Sequence, residues 1–221
     1  MSRYVIGLDF GTNSCRSLLV DVSSGRELAE HVYEYPSGRE GVIIDESEPH
    51  LARQNPADYL SGIEETVRGA IRKAKSRAPE FDPRYIIGIG VDTTGSSPMP
   101  VDEHNRPLCF QEQFRENPAA MVWLWKDHTS YREAEELTRL AAEIRPEFLS
   151  VIGGTYSSEW WWSKILHCRN TAEQVYDAAF SWIEICDWIP AVLTGNTDPL
   201  TIKRSVCAAG HKAMYNPAWN G

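Results

Sequence analysis

The sequence predicts an α/β fold in which three antiparallel strands precede a helix and a parallel strand. Three short apolar, β-branched segments follow one another with only tight turns between them, which favours antiparallel pairing of neighbours. An amphipathic helical segment then leads to a fourth strand, YIIGIGVD at residues 85–92. Its apolar residues fall on both faces, as expected for a buried parallel strand. This order predicts a mixed sheet with flanking helices.

The first half of the chain gives the clearest element boundaries. Turn residues at 11–14 and 23–25 separate the first three predicted strands. These strands are Tyr4–Phe10, Cys15–Val22 and Arg26–Tyr35. Residues 36–55 are polar and rich in Pro, Gly and charge, which predicts a long loop, and Asn55 then suits the N-cap of a helix that begins at Pro56. Apolar residues at helical spacing predict the helix face that packs on the sheet: Tyr59, Leu60, Ile63, Val67, Ala70 and Ile71.

The second half of the chain is predicted to be mostly helical. A turn at residues 93–97 and a short extended piece at 98–102 follow the fourth strand. Helical periodicity then predicts four helices, the last of which ends at Gly195. Their expected ranges are Tyr131–Ile144, Glu159–Cys168, Thr171–Ala179 and Trp182–Leu193. Because no internal repeat and no linker is evident, the sequence predicts one domain.

Charge and cysteine content narrow the classes of function. With 22 basic and 31 acidic residues the net charge is −9, which disfavours nucleic acid and anionic membranes as main partners. The apolar runs are far shorter than the roughly 20 residues of a membrane-spanning helix, and the start resembles no secretory signal, so we expect a cytoplasmic protein. The five cysteines are scattered and never spaced as CxxC, which favours reduced, buried thiols over disulfides or a zinc site.

The segment GLDFGTNSCR near the amino terminus is the strongest candidate for a phosphate-binding site. Asp9 ends a predicted strand and could hold Mg²⁺ through water, because Mg²⁺ gives up its hydration shell reluctantly. Gly11 lets the backbone approach a phosphate closely. Thr12 and Asn13 can direct NH groups and polar side chains at phosphate oxygens, and Arg16 can add positive charge. On these residues alone, a plain β-hairpin with a polar turn is the alternative.

Three later segments are candidates for a sugar site. The turn after the fourth strand presents Ser96 among small polar residues, at the strand end where open α/β sheets bind ligands. In WKDHT, Trp125 could stack on a sugar while Lys126 and Asp127 bond its hydroxyls. Lys212 follows a run of small residues and could bind sugar hydroxyls or steady charge near the phosphoryl acceptor. Each segment also has a structural interpretation: a strand-end turn, a buried Trp with Asp127 as a helix cap, and a solvated lysine.

Three consecutive tryptophans, Trp160, Trp161 and Trp162, form a further aromatic feature. Consecutive side chains on a helix point in different directions, so at most one of them could line a ligand site. We expect the others to pack in the core or at an interface.

These motifs resemble those of a known family. The phosphate-loop pattern is similar to the first phosphate loop of the ribonuclease H-like superfamily of actin, hexokinase and heat-shock chaperones, and DFGTNSCR resembles its FGGY carbohydrate kinase branch. VDTTGSSPMPVD, WKDHT, GGTYSSEWWWSKI, CDWIPAVLTG and CAAGHKAM resemble the ribulokinase group of that family, in the same order. The resemblance extends from Gly7 to about Met214 and so covers nearly the whole chain.

The resemblance implies roles for the candidate residues. Asp9 would neighbour Mg²⁺ and phosphate at an interdomain cleft, and the family's Thr and Asn carry over to Thr12 and Asn13. The sugar contacts implied in the same way are Ser96, Trp125 and Lys212.

The resemblance also implies an activity: ATP- and Mg²⁺-dependent phosphorylation of a ketopentose, L-ribulose to L-ribulose 5-phosphate, in arabinose catabolism. In this family the base Asp and the adenosine-binding domain follow the CAAGHKA region. We therefore expect residues 1–221 to be an incomplete amino-terminal, sugar-binding domain that is inactive alone, without its carboxyl-terminal ATP-binding domain. The expected partners are a small-molecule sugar and ATP, with a homo-oligomer left open. The alternatives are an FGGY kinase for xylulose, ribitol or glycerol, or an inactive sugar-binding sensor.

Overall fold

The computed structural model describes residues 3–210 and 212–218. In chain order the strands are β1 (Tyr4–Phe10), β2 (Ser14–Asp21), β3 (Glu27–Glu34), β4 (Ile43–Asp45), β5 (Glu48–Gln54), β6 (Ile86–Thr93), β7 (Pro98–Val101), β8 (Val122–Trp123) and β9 (Ser181–Glu184). The helices are α1 (Pro56–Arg77), α2 (Tyr131–Ile144), α3 (Pro146–Ser150), α4 (Trp161–Thr171), α5 (Glu173–Ala178), α6 (Ile185–Thr194) and α7 (Val206–Gly210).

The chain packs as two compact units, although its sequence gives no sign of a boundary. The first unit comprises residues 1–42 and 55–94, and the second comprises residues 43–54 and 95–221. The first unit holds a four-stranded sheet of order β3-β2-β1-β6, in which β1 pairs antiparallel with β2 and parallel with β6. The predicted meander followed by a parallel strand is therefore confirmed.

Helix α1 packs on this sheet through a narrower face than its apolar spacing predicts. Asn55 caps the helix by accepting a hydrogen bond from the Ala57 backbone NH, as expected. The buried positions, however, are mostly small: Pro56, Asp58, Tyr59, Gly62, Thr66, Gly69, Ala70 and Ala74. A Cβ added at Gly62 would lie 2.8 Å from the Cys15 Cβ atom, so the helix approaches β2 too closely for a larger residue there. The prediction that Leu60 faces the sheet is wrong, because its side chain is exposed.

Strand β6 is an edge strand rather than a strand buried on both faces. It pairs with β1 on one side and has no second neighbour among the described residues. Ile87 and Ile89 consequently expose 56% and 50% of their surface. The apolar sequence YIIGIGVD therefore predicts the strand correctly, but the prediction that both of its faces are buried is wrong.

The second unit contains two small sheets, one of order β4-β5-β8 and one in which β7 pairs with β9. The first corrects the prediction of a loop over residues 36–55, because β4 and β5 form a hairpin there and Arg53 pairs with Trp123 of β8. Strand β5 therefore has, besides β4, a partner about 70 positions later in the chain, which local composition does not reveal. Similarly, the helix predicted over Trp182–Leu193 begins only at Ile185, because residues 181–184 pair with β7 as β9.

The core of the second unit is aromatic. Trp123, Trp161 and Trp182 are buried in one cluster, and the Trp123 and Trp182 rings meet edge to face with centroids 6.2 Å apart. Four of the five cysteines are fully or partly buried, as predicted, whereas Cys207 is exposed; all five are reduced thiols. Within the part of the chain that the structure describes, no helix combines the length and apolar character that a membrane span requires.

Candidate functional site

The phosphate-loop candidates lie at one end of the sheet in the first unit. Asp9 pairs in register with Arg16 on β2 and with Asp92 on β6. Register partners share a face of a sheet, so these three charged residues form a row across three strands. All three are exposed, while Leu8 and Phe10 on the opposite face of β1 are buried. The row presents two carboxylates and a guanidinium where the parallel strands end, and sequence analysis had not singled out Asp92 as a neighbour of Asp9.

The turn between β1 and β2 is held by a later segment of the same unit. The Gly11 backbone NH donates to the Ser14 carbonyl at 2.9 Å, which closes the turn around Thr12 and Asn13. The Asn13 Nδ2 amide donates to the Glu40 carbonyl at 2.7 Å, so this exposed side chain ties the turn to residue 40.

The fit of Mg²⁺ to this row can be judged from its donor set. Asp9 and Asp92 supply the carboxylate oxygens that Mg²⁺ prefers. No group of three or more His, Cys, Asp or Glu side chains within residues 3–210 and 212–218 is arranged to hold a metal ion. The row therefore suits an ion that keeps several waters, as Mg²⁺ does, and does not suit a metal that needs a full set of protein ligands.

Two of the candidate sugar contacts meet in the second unit at a residue that sequence analysis missed. Ser96 donates its hydroxyl to Glu184 Oε1 at 2.6 Å, and the Ser97 backbone NH donates to Glu184 Oε2 at 2.6 Å. Lys212 Nζ lies 3.3 Å from Glu184 Oε1. Ser96, Glu184 and Lys212 are each no more than 3% exposed. The lysine is thus buried and paired, which contradicts its interpretation as a solvated side chain.

Lys164 of α4 connects the Ser96 turn to the strand that precedes Trp125. Its Nζ donates to the carbonyls of Ser96, Trp123 and Leu124 at 3.1, 3.3 and 2.7 Å. The side chain is fully buried, and burial lowers the pKa of the ammonium well below its ordinary value of 10.5. Lys164 therefore holds two candidate sugar-binding segments in one arrangement.

The WKDHT segment divides into an exposed and a buried part. Trp125 is 37% exposed and Lys126 is partly exposed, so both can reach a ligand. Asp127 is fully buried, and it pairs with Arg53 and accepts from the Ala52 NH and the Thr129 hydroxyl at 2.8 and 2.6 Å. Both carboxylate oxygens are thus occupied within the chain, which favours a positioning role for Asp127 over direct sugar contact.

A cleft of about 750 Å³ opens beside this cluster in the second unit. Glu184 and Asp187 lie on its polar side together with Arg204. Trp161 and Trp162, the first two residues of α4, both line it, whereas we expect at most one of the tryptophans to line a ligand site.

Glu184 and Lys164 could have been found from their sequence positions. Each charged residue lies inside a strongly apolar stretch, SWIEI and WWWSKIL respectively. Lys164 also lies on the helical stripe of Trp161 and Cys168, which are buried. A charged residue in a buried stripe needs hydrogen-bonding partners, and it is therefore a candidate organiser of a polar site.

A family model described as the FGGY family of carbohydrate kinases, N-terminal domain, matches residues 4–217. The chain is 40% identical over 220 residues to the ribulokinase of Vibrio parahaemolyticus, covering 99% of this chain and 38% of that protein. The ribulokinase of Shouchella clausii is also 40% identical over 220 residues, covering 98% of this chain and 37% of that protein. The chain thus spans less than two fifths of the length of these relatives.

Solved structures match the same fold. The xylulose kinase of Rhodospirillum rubrum superposes with a TM-score of 0.69 at 20% identity, covering 98% of this chain and 38% of that one. The glycerol kinase of Plasmodium falciparum with ADP gives a TM-score of 0.64 at 13% identity, covering 96% and 41%. At these identities the likeness concerns the fold, and it confirms the actin- and hexokinase-like α/β fold that the motifs implied.

Proposed function

Because this chain belongs to the FGGY family of carbohydrate kinases, we propose that it is the sugar-binding, amino-terminal part of an ATP-dependent ribulokinase. The reaction is phosphorylation of L-ribulose to L-ribulose 5-phosphate, as a cytoplasmic step of arabinose breakdown. The proposal of ribulose rests on the relatives named ribulokinase, which match nearly the whole chain at 40% identity. The carboxyl-terminal, adenosine-binding part lies outside these 221 residues.

The observation that carries this proposal is the buried polar cluster of the second unit. Ser96, Lys212 and the segment before Trp125 are far apart in the sequence, and Glu184 and Lys164 tie them together. A sugar needs several short hydrogen bonds and one apolar surface. Ser96 and Lys212 supply the polar contacts in this proposal and the exposed Trp125 ring supplies the surface.

The row of Arg16, Asp9 and Asp92 binds the phosphate groups of ATP and their Mg²⁺ ion in this proposal. Mg²⁺, when bound, would supply positive charge that neutralises the charge developing during transfer. Asp9 would hold the ion through water, with Asp92 on the same face. Thr12 and the backbone NH groups of the turn that begins at Gly11 face the phosphates.

The reaction is an in-line displacement at the γ-phosphorus of ATP. The bond from the γ-phosphorus to the bridging oxygen breaks, a bond to the terminal sugar hydroxyl forms, and that hydroxyl's proton passes to a base. The base belongs to the part of the enzyme beyond Gly221. Within this chain the residues bind and orient, since positioning and charge stabilisation supply most of the catalysis in phosphoryl transfer.

Sugar binding by calorimetry tests the proposal on this chain. We expect residues 1–221 to bind L-ribulose more tightly than D-xylulose or glycerol, and Lys212→Met to weaken L-ribulose binding about tenfold, the loss expected for one hydrogen bond from a charged group. Lys203→Met, at an exposed lysine of the same unit, is the matched control and should bind as the wild type does. Binding that Lys212→Met leaves unchanged would contradict the assignment of this cluster.

A further inference from the structure

Glu184 contacts both Ser96 and Lys212 although no motif assigns it a role. It directly precedes α6, but its side chain makes no capping bond to that helix. The carboxylate turns instead to the Ser96–Ser97 turn, where each oxygen accepts one bond of 2.6 Å. Bonds this short to a carboxylate are charge-assisted and hold their donors firmly.

The bond to Glu184 decides whether Ser96 can donate or accept a hydrogen bond with a ligand. A serine hydroxyl carries one proton and two acceptor lone pairs. The Ser96 proton is committed to Glu184 Oε1, because an ionised carboxylate can only accept. Ser96 can therefore offer a ligand only an acceptor.

Lys212 has the opposite character. Its ammonium group has three protons. Two acceptors lie in reach among the described residues, the Ala208 carbonyl at 2.7 Å and Glu184 Oε1 at 3.3 Å. The remaining proton makes Lys212 a donor to a ligand.

We infer that Glu184 is a positioning residue that fixes the polarity of the sugar site, with Ser96 as acceptor and Lys212 as donor. One sugar hydroxyl then meets both: it donates to Ser96 and accepts from Lys212. Such a site selects a free hydroxyl over any group that cannot donate. This inference rests on the proposed function and deepens it, because it states how the sugar is recognised.

Asp187, in the first turn of α6, provides a matched comparison. It is a buried carboxylate three residues after Glu184, and it borders the same cleft. Its Oδ1 accepts from the Ser205 NH at 2.8 Å and from the Cys186 thiol at 3.7 Å. Its contacts include neither Ser96 nor Lys212, so Asp187→Asn controls for loss of a buried negative charge.

Glu184→Gln should reverse the polarity of Ser96. A glutamine fits the same space, and with its oxygen on the Ser97 NH, which can only donate, its amide NH₂ replaces Oε1. The NH₂ then donates to Ser96, whose own proton is freed toward the ligand, while Lys212 loses Glu184 Oε1 as an acceptor and stays a donor to the ligand. The site of the variant offers a donor where the wild type offers an acceptor.

The experiment uses the longer kinase proposed above and compares KM for L-ribulose with KM for its monodeoxyfluoro analogues. Fluorine matches the size of a hydroxyl but cannot donate a hydrogen bond. In the wild type we expect one position at which fluorine raises KM about tenfold, the value of one lost hydrogen bond. In Glu184→Gln this preference should fall below about threefold, while KM for ATP changes less than about twofold.

The outcomes separate this inference from the proposed function. An unchanged fluorine preference in Glu184→Gln, or an equal loss of it in Asp187→Asn, would overturn the inference alone. If Glu184→Gln does not fold, Ser96→Ala serves instead and should abolish the preference at that same position; a preference that survives Ser96→Ala overturns the inference. If the wild-type kinase phosphorylates no ketopentose, that result contradicts both the proposed function and this inference.

Discussion

The Arg53 guanidinium and the Asp127 carboxylate form an ion pair inside the second unit, where both side chains are almost fully buried. Burial lowers the pKa of Arg53 to about 9, so the guanidinium remains charged near neutral pH and Asp127 carries its countercharge. Arg53 also lies over the Trp123 ring, 3.5 Å from its centroid. This pair joins β5 to the loop that carries Trp125.

Asp127→Asn should destabilise the second unit strongly. The variant leaves the Arg53 charge buried without a countercharge, and breaking a buried pair from one side costs about 3–5 kcal/mol. Urea denaturation followed by tryptophan fluorescence measures the loss. Glu80→Gln is the control, because it breaks the exposed Arg26–Glu80 pair, for which about 1 kcal/mol or less is expected. Equal losses in both variants would contradict the structural role given to Asp127.

Lys164→Met should also cost stability, for a different reason. Methionine fits the space but leaves the carbonyls of Ser96, Trp123 and Leu124 without their donor, at about 1–3 kcal/mol for each buried group left unsatisfied. Lys73 provides the comparison, since its Nζ donates to one carbonyl, that of Glu30, at an exposed site. We expect Lys73→Met to change the free energy of unfolding by about 0.5 kcal/mol or less. A Lys164→Met chain as stable as Lys73→Met would refute the bridging role.

Thiol labelling should distinguish Cys207 from the other four cysteines. Burial raises the pKa of Cys15 to about 11 and that of Cys109, Cys168 and Cys186 to about 12, so their reactive thiolate forms are scarce at mildly alkaline pH. An aromatic disulfide reagent should therefore modify one thiol rapidly in the folded chain and all five in denaturant. Cys207→Ser should remove the rapid phase; a second rapid thiol would show that a buried site is accessible.

Asp187 should make stability depend on pH. Burial raises the pKa of its carboxyl above the ordinary value of 3.8, so the folded chain binds this proton more tightly than the unfolded chain. The contribution of Asp187 to the free energy of unfolding is therefore largest at low pH and falls as the pH rises from 3.8 through the raised pKa. Urea denaturation of the wild type and Asp187→Asn from about pH 4 to about pH 7 should show their stability difference shifting in favour of the variant as pH rises. Parallel pH curves would contradict this.

Local patterns predict the first unit better than the second. The meander and α1 follow from turn residues, strand-length apolar runs and an N-cap, all of which act over a few residues. The prediction that Leu60 faces the sheet is wrong because α1 contacts Cys15 through Gly62 instead. The spacing of apolar residues does not predict a contact made through a glycine. In the second unit β9 pairs with the distant β7, and β5 pairs with the distant β8 as well as with its neighbour β4. Sequence separation, more than residue type, limits what can be predicted there.

The candidate site shows the same limit. Motif resemblance selects Ser96, Trp125 and Lys212, and the structure gathers Ser96 and Lys212 at one carboxylate. The apolar stretch around Glu184 marks it as a buried charge that needs partners, but the β7–β9 pairing that brings it to the Ser96 turn is not visible in the local sequence. Direct contact of Ser96, Trp125 and Lys212 with a sugar remains a prediction.

ADP release by the longer kinase with MgATP most directly tests the proposed ribulokinase activity, with L-ribulose, D-ribulose, D-xylulose, ribitol and glycerol as acceptors and residues 1–221 assayed alongside. We expect turnover on ribulose by the longer kinase, weaker turnover on the other acceptors, and none by residues 1–221 alone. Preference for xylulose or glycerol would contradict the proposed substrate while keeping the family, and the absence of turnover on every acceptor would contradict the proposed catalysis and favour a sugar-binding sensor.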